Sequence, residues 1–556
     1  MYYYSITEKE IKQTEGAAMK VIIIGGVAAG ASAAARLRRL DEHCNILLLE
    51  KGKFISYANC GLPYHLGGVI PDKDDLLIMP PQQFAGWFNV DIRTECEVIR
   101  IDRKKKSVLC RTANGEYEES YDKLLIATGA TPAEKSNIPN VFNLWTFHNM
   151  EEIAACLQNA RNIVITGAGF IGLETAENLK ARGLEVTIIQ RGDHVLPTLD
   201  REMATPLAEE LRRCGINVRY NCTVKNYTEQ NNGVELELDN GEKLFADAVI
   251  LSTGIKPESA LAQDCGIICG ERGHIRVNEF LQTSDPDIYA AGDVTELNDH
   301  AANAFGAVPL AGPANKQGRI AANHIAGRKT PYKNSFGTSV VKVGKMTAAS
   351  VGQTESSLKR SNTPYRKLYL HPFSNASYYP GGNRMTLKLI FGCDGMILGA
   401  QIVGKDGVDK RINAISVAMQ NGLTAPELGE MELAYAPPYG SAKDPVNYAG
   451  FVADDILSGL TDVVFPDTIP ADAMILDVRE PAENARGTIP GAINIRLGDL
   501  RKNLHKLDKN KLIVCCCQVG LRGYLAERIL KQNGFKAANL SGGWLGWKLF
   551  FPEQQK

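Results

Sequence analysis

Short unbroken apolar runs, each closed by glycine, recur along this chain of 556 residues and set its organisation. Lys20-Val21-Ile22-Ile23-Ile24 has the continuous apolar character of a buried strand. Gly25-Gly26-Val27-Ala28-Ala29-Gly30 follows, then an alanine-rich helix to Leu40, then a second strand over Ile46–Leu49 closed by Glu50. The same order returns later. Asn162–Thr166 runs into Gly167-Ala168-Gly169-Phe170-Ile171-Gly172, a helix opens, and the strand Leu184–Ile189 ends in Gln190-Arg191. Leu124-Leu125-Ile126 enters Ala127-Thr128-Gly129, and Val249-Ile250-Leu251 enters Ser252-Thr253-Gly254. These two crossings fit the boundaries of an inserted domain, and Asp287–Asp293 returns the chain to the first one. A third pattern starts at Met474-Ile475-Leu476-Asp477-Val478 and continues with the strand Leu512–Cys516 and a helix.

A strand, a glycine turn, a helix and a second strand ending in a polar residue make a dinucleotide-binding unit. Backbone N–H groups at the helix start approach a pyrophosphate, and the terminal residue meets a ribose. In the first unit the candidate contacts are Gly25, Ala28, Ala29, Gly30 and Glu50, with Val27 at the usual second glycine position. The second fingerprint, with Gly167, Gly169 and Gly172, is intact. Gln190-Arg191 offers no carboxylate to a ribose, and an arginine can pair with a 2′-phosphate, so NADH and NADPH both stay open. Two such units in one chain call for two dinucleotides, a bound flavin and a diffusing nicotinamide.

The length demands several domains. Apolar residues at 44% and charged residues at 22% are ordinary for a globular protein, and a formal charge of −1 gives no electrostatic reason to expect nucleic acid or an anionic membrane. No apolar run approaches the ~18 residues of a membrane span. Residues 1–18 read as an N-terminal extension without the apolar stretch of a signal peptide. Thirteen unevenly spaced cysteines then imply reduced thiols in the cytoplasm. Cys265 and Cys269 have no histidine or second pair to complete a metal site, and Cys515 and Cys516 read as strand packing.

Cys60 stands apart. It lies in Ser56-Tyr57-Ala58-Asn59-Cys60-Gly61-Leu62-Pro63, with no second cysteine a few residues on. Beside a flavin, such a single thiol finds its sulfur partner in a substrate, through a mixed disulfide, a persulfide or a sulfenic acid.

On these residues, on Tyr289-Ala290-Ala291-Gly292-Asp293 and on Ala434-Tyr435-Ala436-Pro437-Pro438-Tyr439, residues 19 to about 450 resemble the single-cysteine branch of the pyridine nucleotide–disulfide oxidoreductases. That branch holds the coenzyme A-disulfide and persulfide reductases. The resemblance implies an α/β chain with two Rossmann-like dinucleotide-binding domains and an α+β dimerisation domain, hence a homodimer. FAD would take residues 19–130 and 263–328, NAD(P)H residues 131–262, and dimerisation residues 329–450. It further implies that Thr128, Gly129 and Gly292 line the flavin site and that Asp293 hydrogen-bonds the ribityl chain. Cys60 would be the redox cysteine near a helix N-terminus. Tyr378 and Tyr435, with Tyr379 and Tyr439 as near neighbours, match tyrosines that the family brings from the partner subunit. Arg39, Ser56 and Asn59, with Asn315 and Arg319 of the partner subunit, match contacts to coenzyme A, whose phosphates suit bidentate arginine.

Residues 451–466 read as a linker, and residues 467–556 resemble an α/β rhodanese domain. Its signature is Cys517-Gln518-Val519-Gly520-Leu521-Arg522 after a strand, with Gly542-Gly543-Trp544 near the end. Loop amides would stabilise a thiolate or persulfide on Cys517, and Arg522 would hold an anionic sulfane sulfur donor. Thr488 stands where that family often has histidine. The expected activity is flavin-dependent reduction of coenzyme A disulfide, persulfide or polysulfide by NAD(P)H, coupled to sulfur handling at Cys517. The rivals are an NADH oxidase or peroxidase cycling through a sulfenic acid, and a redox sensor whose rhodanese unit only docks.

Overall fold

The computed structural model describes residues 18–299, 304–333 and 335–555, so most of the N-terminal extension lies outside the described residues. The chain divides into two compact units. The first comprises residues 18–59, 73–131 and 255–334; the second comprises residues 60–72, 132–254 and 335–556.

The first unit is built on a five-stranded parallel sheet in the order Ile288–Ala290, Lys123–Ile126, Lys20–Ile24, Asn45–Leu49, Asp91–Arg93. Parallel strands covered on both faces must be apolar throughout, which is why Val21 to Ile24 and Leu124 to Ile126 are all buried. The helix Ala28–Arg38 presents its alanines to the helix Ala311–Ile325. It stops at Arg38, two residues earlier than its composition suggests, because the Leu40 and Asp41 amides turn back to the Leu37 carbonyl. The buried Arg38 guanidinium donates to the carbonyls of Phe88, Asp41, Glu42, Cys44 and Asn89, which staples that turn to the end of the helix Pro81–Phe88.

The second unit holds three sheets that matter for the site. The nucleotide sheet is parallel, in the order Asn217–Tyr220, Glu185–Gln190, Asn162–Thr166, Ala248–Leu251, Val141–Asn143. An antiparallel sheet runs Ser339–Val343, Met346–Gly352, Ile397–Gly404, Met385–Phe391, Arg366–Leu370. Its apolar face packs on the helices Val408–Gln420 and Pro445–Leu457. The C-terminal sheet is parallel, in the order Val463–Val464, Ala537–Leu540, Ile513–Cys516, Met474–Asp477, Ile493–Asn494.

Residues 451–466 are therefore not a linker. Phe451 to Leu457 continue the helix begun at Pro445, because Ala453 and Ile456 keep its buried stripe going. Val463 and Val464 are the edge strand of the C-terminal sheet, paired with Asn539 and Leu540. Among the described residues no helix is long and apolar enough to cross a membrane.

One buried ionic cluster binds the second unit together. Lys388, fully buried, donates to Asp200 at 2.7 Å, Glu202 at 2.5 Å and Glu355 at 2.9 Å. Glu355 also receives Lys367 and Lys359, Asp200 receives Gln401, and Glu202 receives the Tyr369 hydroxyl. The three carboxylates are close enough to suggest a metal site, but the Lys388 ammonium is bonded to all of them. Tyr369 extends the link to the C-terminal domain: its amide donates to Ser541 at 2.9 Å, and its ring meets Phe465 and Phe550 edge-on.

Candidate functional site

In the first unit Glu50 folds back on the nucleotide turn. Its carboxylate accepts from the Gly26 amide at 2.8 Å and the Gly52 amide at 2.7 Å, which fixes the strand end where a ribose would sit. Gly25, Ala28, Ala29 and Gly30 form the turn and the helix start. Thr128, expected to line the cofactor, donates its hydroxyl to the Glu258 carbonyl at 2.6 Å, beside Gly129. The Gly292 amide donates to Gln317 at 2.7 Å. Burial pushes the next carboxyl, Asp293, up to about 6. A carboxyl so held gains from hydroxyl donors, so this donor set fits the ribityl chain of FAD.

Ser56 adopts a left-handed φ of 48° while its amide donates to the Gly26 carbonyl at 2.9 Å. Such a conformation is uncommon in a residue with a side chain. Asn59 follows at the surface. Arg39 and Arg319, the arginines expected at a coenzyme A site, both lie within electrostatic reach of Arg36 in one chain. Burial, and then the charges of Arg319, Arg328 and Arg39, lower the Arg36 guanidinium, which donates to Asn323 at 2.8 Å. Asn315 accepts from Ser32 of the same chain. Spacing alone gave no reason to add Arg36 and Arg328 to Arg39 and Arg319.

In the second unit Cys60 is exposed, on the 3-10 turn Asn59–Gly61 that leads into the short helix Leu62–Leu66. That helix is tied to the nicotinamide fingerprint. Tyr64 donates its hydroxyl to Glu174 at 3.2 Å, and Arg182 donates to the Leu66 carbonyl at 3.1 Å. Burial pushes the Glu174 carboxyl up, and burial with the Glu174 charge pushes the Tyr64 hydroxyl up to about 12. Both residues escaped the sequence analysis because 110 positions separate them.

Gly167, Gly169 and Gly172 make the second fingerprint turn, and a Cβ on Gly169 would meet nothing within 4 Å. That open space at the start of the helix Phe170–Ala181 fits a dinucleotide phosphate. Gln190 does not reach toward a ribose: it accepts from the Ala168 amide and donates to the His194 carbonyl, both at 3.0 Å, and is buried. The strand-end position predicted contact with the cofactor, but the side chain braces the turn. Arg191 is exposed beside it.

Tyr378 and Tyr435, 57 positions apart, are brought together, hydroxyl to hydroxyl at 2.9 Å, and both are exposed. Tyr439 is exposed as well, with the Lys410 ammonium 5.4 Å from its ring centre. Tyr379 turns its amide onto the Ala376 carbonyl.

Cys517 is fully buried at the end of the strand Ile513–Cys516, and Cys515 and Cys516 are buried before it. The Gly520 amide donates to its sulfur at 3.2 Å, the inward amide that the loop pattern predicted. Behind the loop the Trp544 amide donates to the Cys517 carbonyl at 2.7 Å. Gly543, at φ 57°, allows that approach, since its Cβ would come within 2.3 Å of the same carbonyl. Asp477 and the buried Arg479 pair at 2.6 Å, and Thr488 donates to Asp477 at 2.8 Å. Arg522 closes the loop, with both guanidinium nitrogens on Glu483, each at 2.7 Å.

Residues 19–318 match the family described as pyridine nucleotide-disulphide oxidoreductase, residues 338–445 its dimerisation domain, and residues 467–549 the rhodanese-like domain. A coenzyme A disulfide reductase of Staphylococcus epidermidis is 36% identical over 441 residues, which cover 78% of this chain and 99% of that one. The crystal structure of reduced Bacillus anthracis CoADR-RHD is similar at a TM-score of 0.94 and 40% identity, over 97% of this chain and 99% of that one. A NAD-dependent persulfide reductase from A. fulgidus is similar at a TM-score of 0.89 and 38% identity, over 96% and 100% of the two chains. The chain belongs to the pyridine nucleotide-disulphide oxidoreductases and carries both their dimerisation domain and a rhodanese-like domain at its C-terminal end.

Proposed function

We propose that this protein is an FAD-dependent oxidoreductase that uses NAD(P)H to reduce coenzyme A disulfides and persulfides at Cys60, with Cys517 handling sulfane sulfur. Exposed Cys60, on the turn that leads into a helix anchored to the nicotinamide fingerprint, carries this reading. The coenzyme A and persulfide substrates follow the two relatives that span nearly the whole chain.

Bound FAD supplies two-electron chemistry between the nicotinamide and sulfur. The protein's own part starts with the Cys60 thiolate attacking a substrate sulfur. With a disulfide, the S–S bond breaks, one coenzyme A thiolate leaves and a Cys60–coenzyme A disulfide forms. With a persulfide, either hydrosulfide leaves and the same mixed disulfide forms, or coenzyme A leaves and Cys60 carries the persulfide. Tyr435 or Tyr378, acting from the second subunit of a homodimer, gives a proton to the leaving thiolate. The arginines near Arg36 hold the phosphates. A reducing cytoplasm suits this chemistry.

The test is anaerobic turnover with coenzyme A disulfide, coenzyme A persulfide and hydrogen peroxide, for the native protein and Cys60→Ser. Sulfur turnover that Cys60→Ser abolishes is expected. Peroxide as the sole substrate would favour the sulfenic acid chemistry of an oxidase or peroxidase, and alkylated Cys60 with undiminished turnover would refute the reading.

A further inference from the structure

Arginine at the end of a sulfur-carrying loop serves an anionic donor only when its N–H fork is available. Here the fork is taken. Glu483, from the helix Pro481–Asn484, accepts both terminal nitrogens of Arg522 at 2.7 Å each, an arrangement that matches carboxylate to guanidinium. The Glu483 hydrogen bonds raise the guanidinium of Arg522, charged as any arginine is, and it also interacts with the Cys517 sulfur. The pair leaves the loop mouth with a carboxylate and no uncommitted cation on Arg522. Arg479, the other guanidinium of the loop, is buried on Asp477. The next side chains are apolar: Leu521 is 60% exposed and Leu525, one helical turn on, is 44% exposed.

We propose that Glu483 is a specificity-determining residue of the Cys517 site, setting it against thiosulfate and for persulfides carried on organic thiols. The inference rests on the reading that Cys517 carries sulfane sulfur. Thiosulfate is a compact dianion. It would have to displace Glu483 from Arg522 or lie against its negative charge, and it gains nothing from Leu521 and Leu525. A thiol persulfide has at most one charge at its outer sulfur, and its organic arm can cover those leucines. The transfer balances for either donor. Cys517–S⁻ attacks the outer sulfur of RS–SH, that S–S bond breaks, RS⁻ leaves and Cys517–S–SH forms. With thiosulfate the same attack expels sulfite and takes up one proton from solvent.

The experiment compares sodium thiosulfate with coenzyme A persulfide as donors and cyanide as acceptor, using the full-length protein. Glu483→Gln removes the carboxylate charge and frees Arg522. It should lower KM for thiosulfate by about tenfold or more, the effect of a charge-assisted hydrogen bond, and leave persulfide turnover within about twofold. Glu483→Asp should keep native selectivity, and Glu483→Gln combined with Arg522→Met should lose the thiosulfate gain. Calorimetric melting of each variant reports folding. An unchanged thiosulfate to persulfide ratio in a folded Glu483→Gln protein overturns the inference. Cys517→Ser separates the two failures: transfer that survives it refutes the role of Cys517 itself.

Discussion

Lys388→Met removes one cation from a buried cluster whose charges are formally balanced. Asp200, Glu202 and Glu355 face Lys388, Lys367 and Lys359. Methionine keeps most of the volume and leaves the cluster with a net negative charge. Removing one partner of a buried ion pair costs about 3–5 kcal/mol, because the remaining charge stays desolvated. Three carboxylates lose a hydrogen bond here, so the upper part of that range is expected. At about 2–4 °C per kcal/mol for domains of 150–250 residues, and somewhat less for a larger unit, the melting temperature should fall by at least about 5 °C at pH 7. The pH dependence gives a second check. Burial pushes the Asp200 and Glu355 carboxyls up, but Lys388, acting with Lys367 and Lys359 on Glu355, and with Gln401 and a backbone amide on Asp200, holds both below the ordinary range. Carboxyls lowered in this way contribute stability above their unfolded pKa of about 4, and that stability is lost as pH falls through the folded values. Without Lys388 that lowering weakens at both carboxyls, so less stability is lost on acidification. Calorimetry at pH 7 and at about pH 3.5, below the unfolded carboxyl pKa, should therefore show the gap between native protein and Lys388→Met narrowing on acidification. Adding Glu202→Gln to Lys388→Met should restore part of the loss. Equal melting at pH 7, or a gap that does not change with pH, would refute the electrostatic account.

Two further predictions concern the sulfur sites. Gly543→Ala places a methyl group 2.3 Å from the Cys517 carbonyl at a left-handed φ. Displacing the loop by about 1 Å should cut cyanide-trapped sulfur transfer by about 100-fold and leave Cys60-dependent disulfide reduction intact, and equal loss of both would show a general folding defect instead. Tyr435→Phe removes a hydroxyl bonded to Tyr378. It should slow disulfide reduction by about 100-fold, the usual weight of a proton donor, without slowing flavin reduction by NAD(P)H in stopped flow; undiminished turnover would remove Tyr435 from the reaction.

What could be read from the sequence was local. Both nucleotide units announced themselves because strand, glycine turn, helix and strand follow one another within about 30 residues, and each step has its own periodicity. The Cys517 loop was legible for the same reason. Features made by distant pairs were not. Glu483 lies 39 positions before Arg522, and Lys388 lies 188 positions after Asp200. Val463-Val464 is too short to read as a strand, and only pairing with Asn539 and Leu540 makes it one. Gln190 shows a different limit. Its place at the strand end was correctly read, yet the direction of its side chain depends on the Ala168 amide and the His194 carbonyl. Residue position predicts which groups are near a ligand, and hydrogen-bond competition decides which of them face it.

The two cysteines differ in a way that divides their substrates. Cys60 is exposed, so a sulfur flanked by carbon on both sides can reach it. Cys517 is fully buried, with an amide on its sulfur. Attack requires the sulfur atoms to come into line with the leaving group behind them. A disulfide brings carbon substituents on both of its sulfurs, which a closed loop resists, whereas a persulfide presents a bare terminal sulfur that a narrow opening admits. On the proposed function, disulfides are therefore confined to Cys60, while persulfides can be used at either centre. The fusion then has a chemical consequence: on the proposed function, sulfur accepted at Cys517 reaches Cys60 either directly or on a small mobile thiol. Coenzyme A, released when disulfides are reduced at Cys60, is such a thiol, so the reductase would generate an acceptor that empties the sulfur-carrying loop.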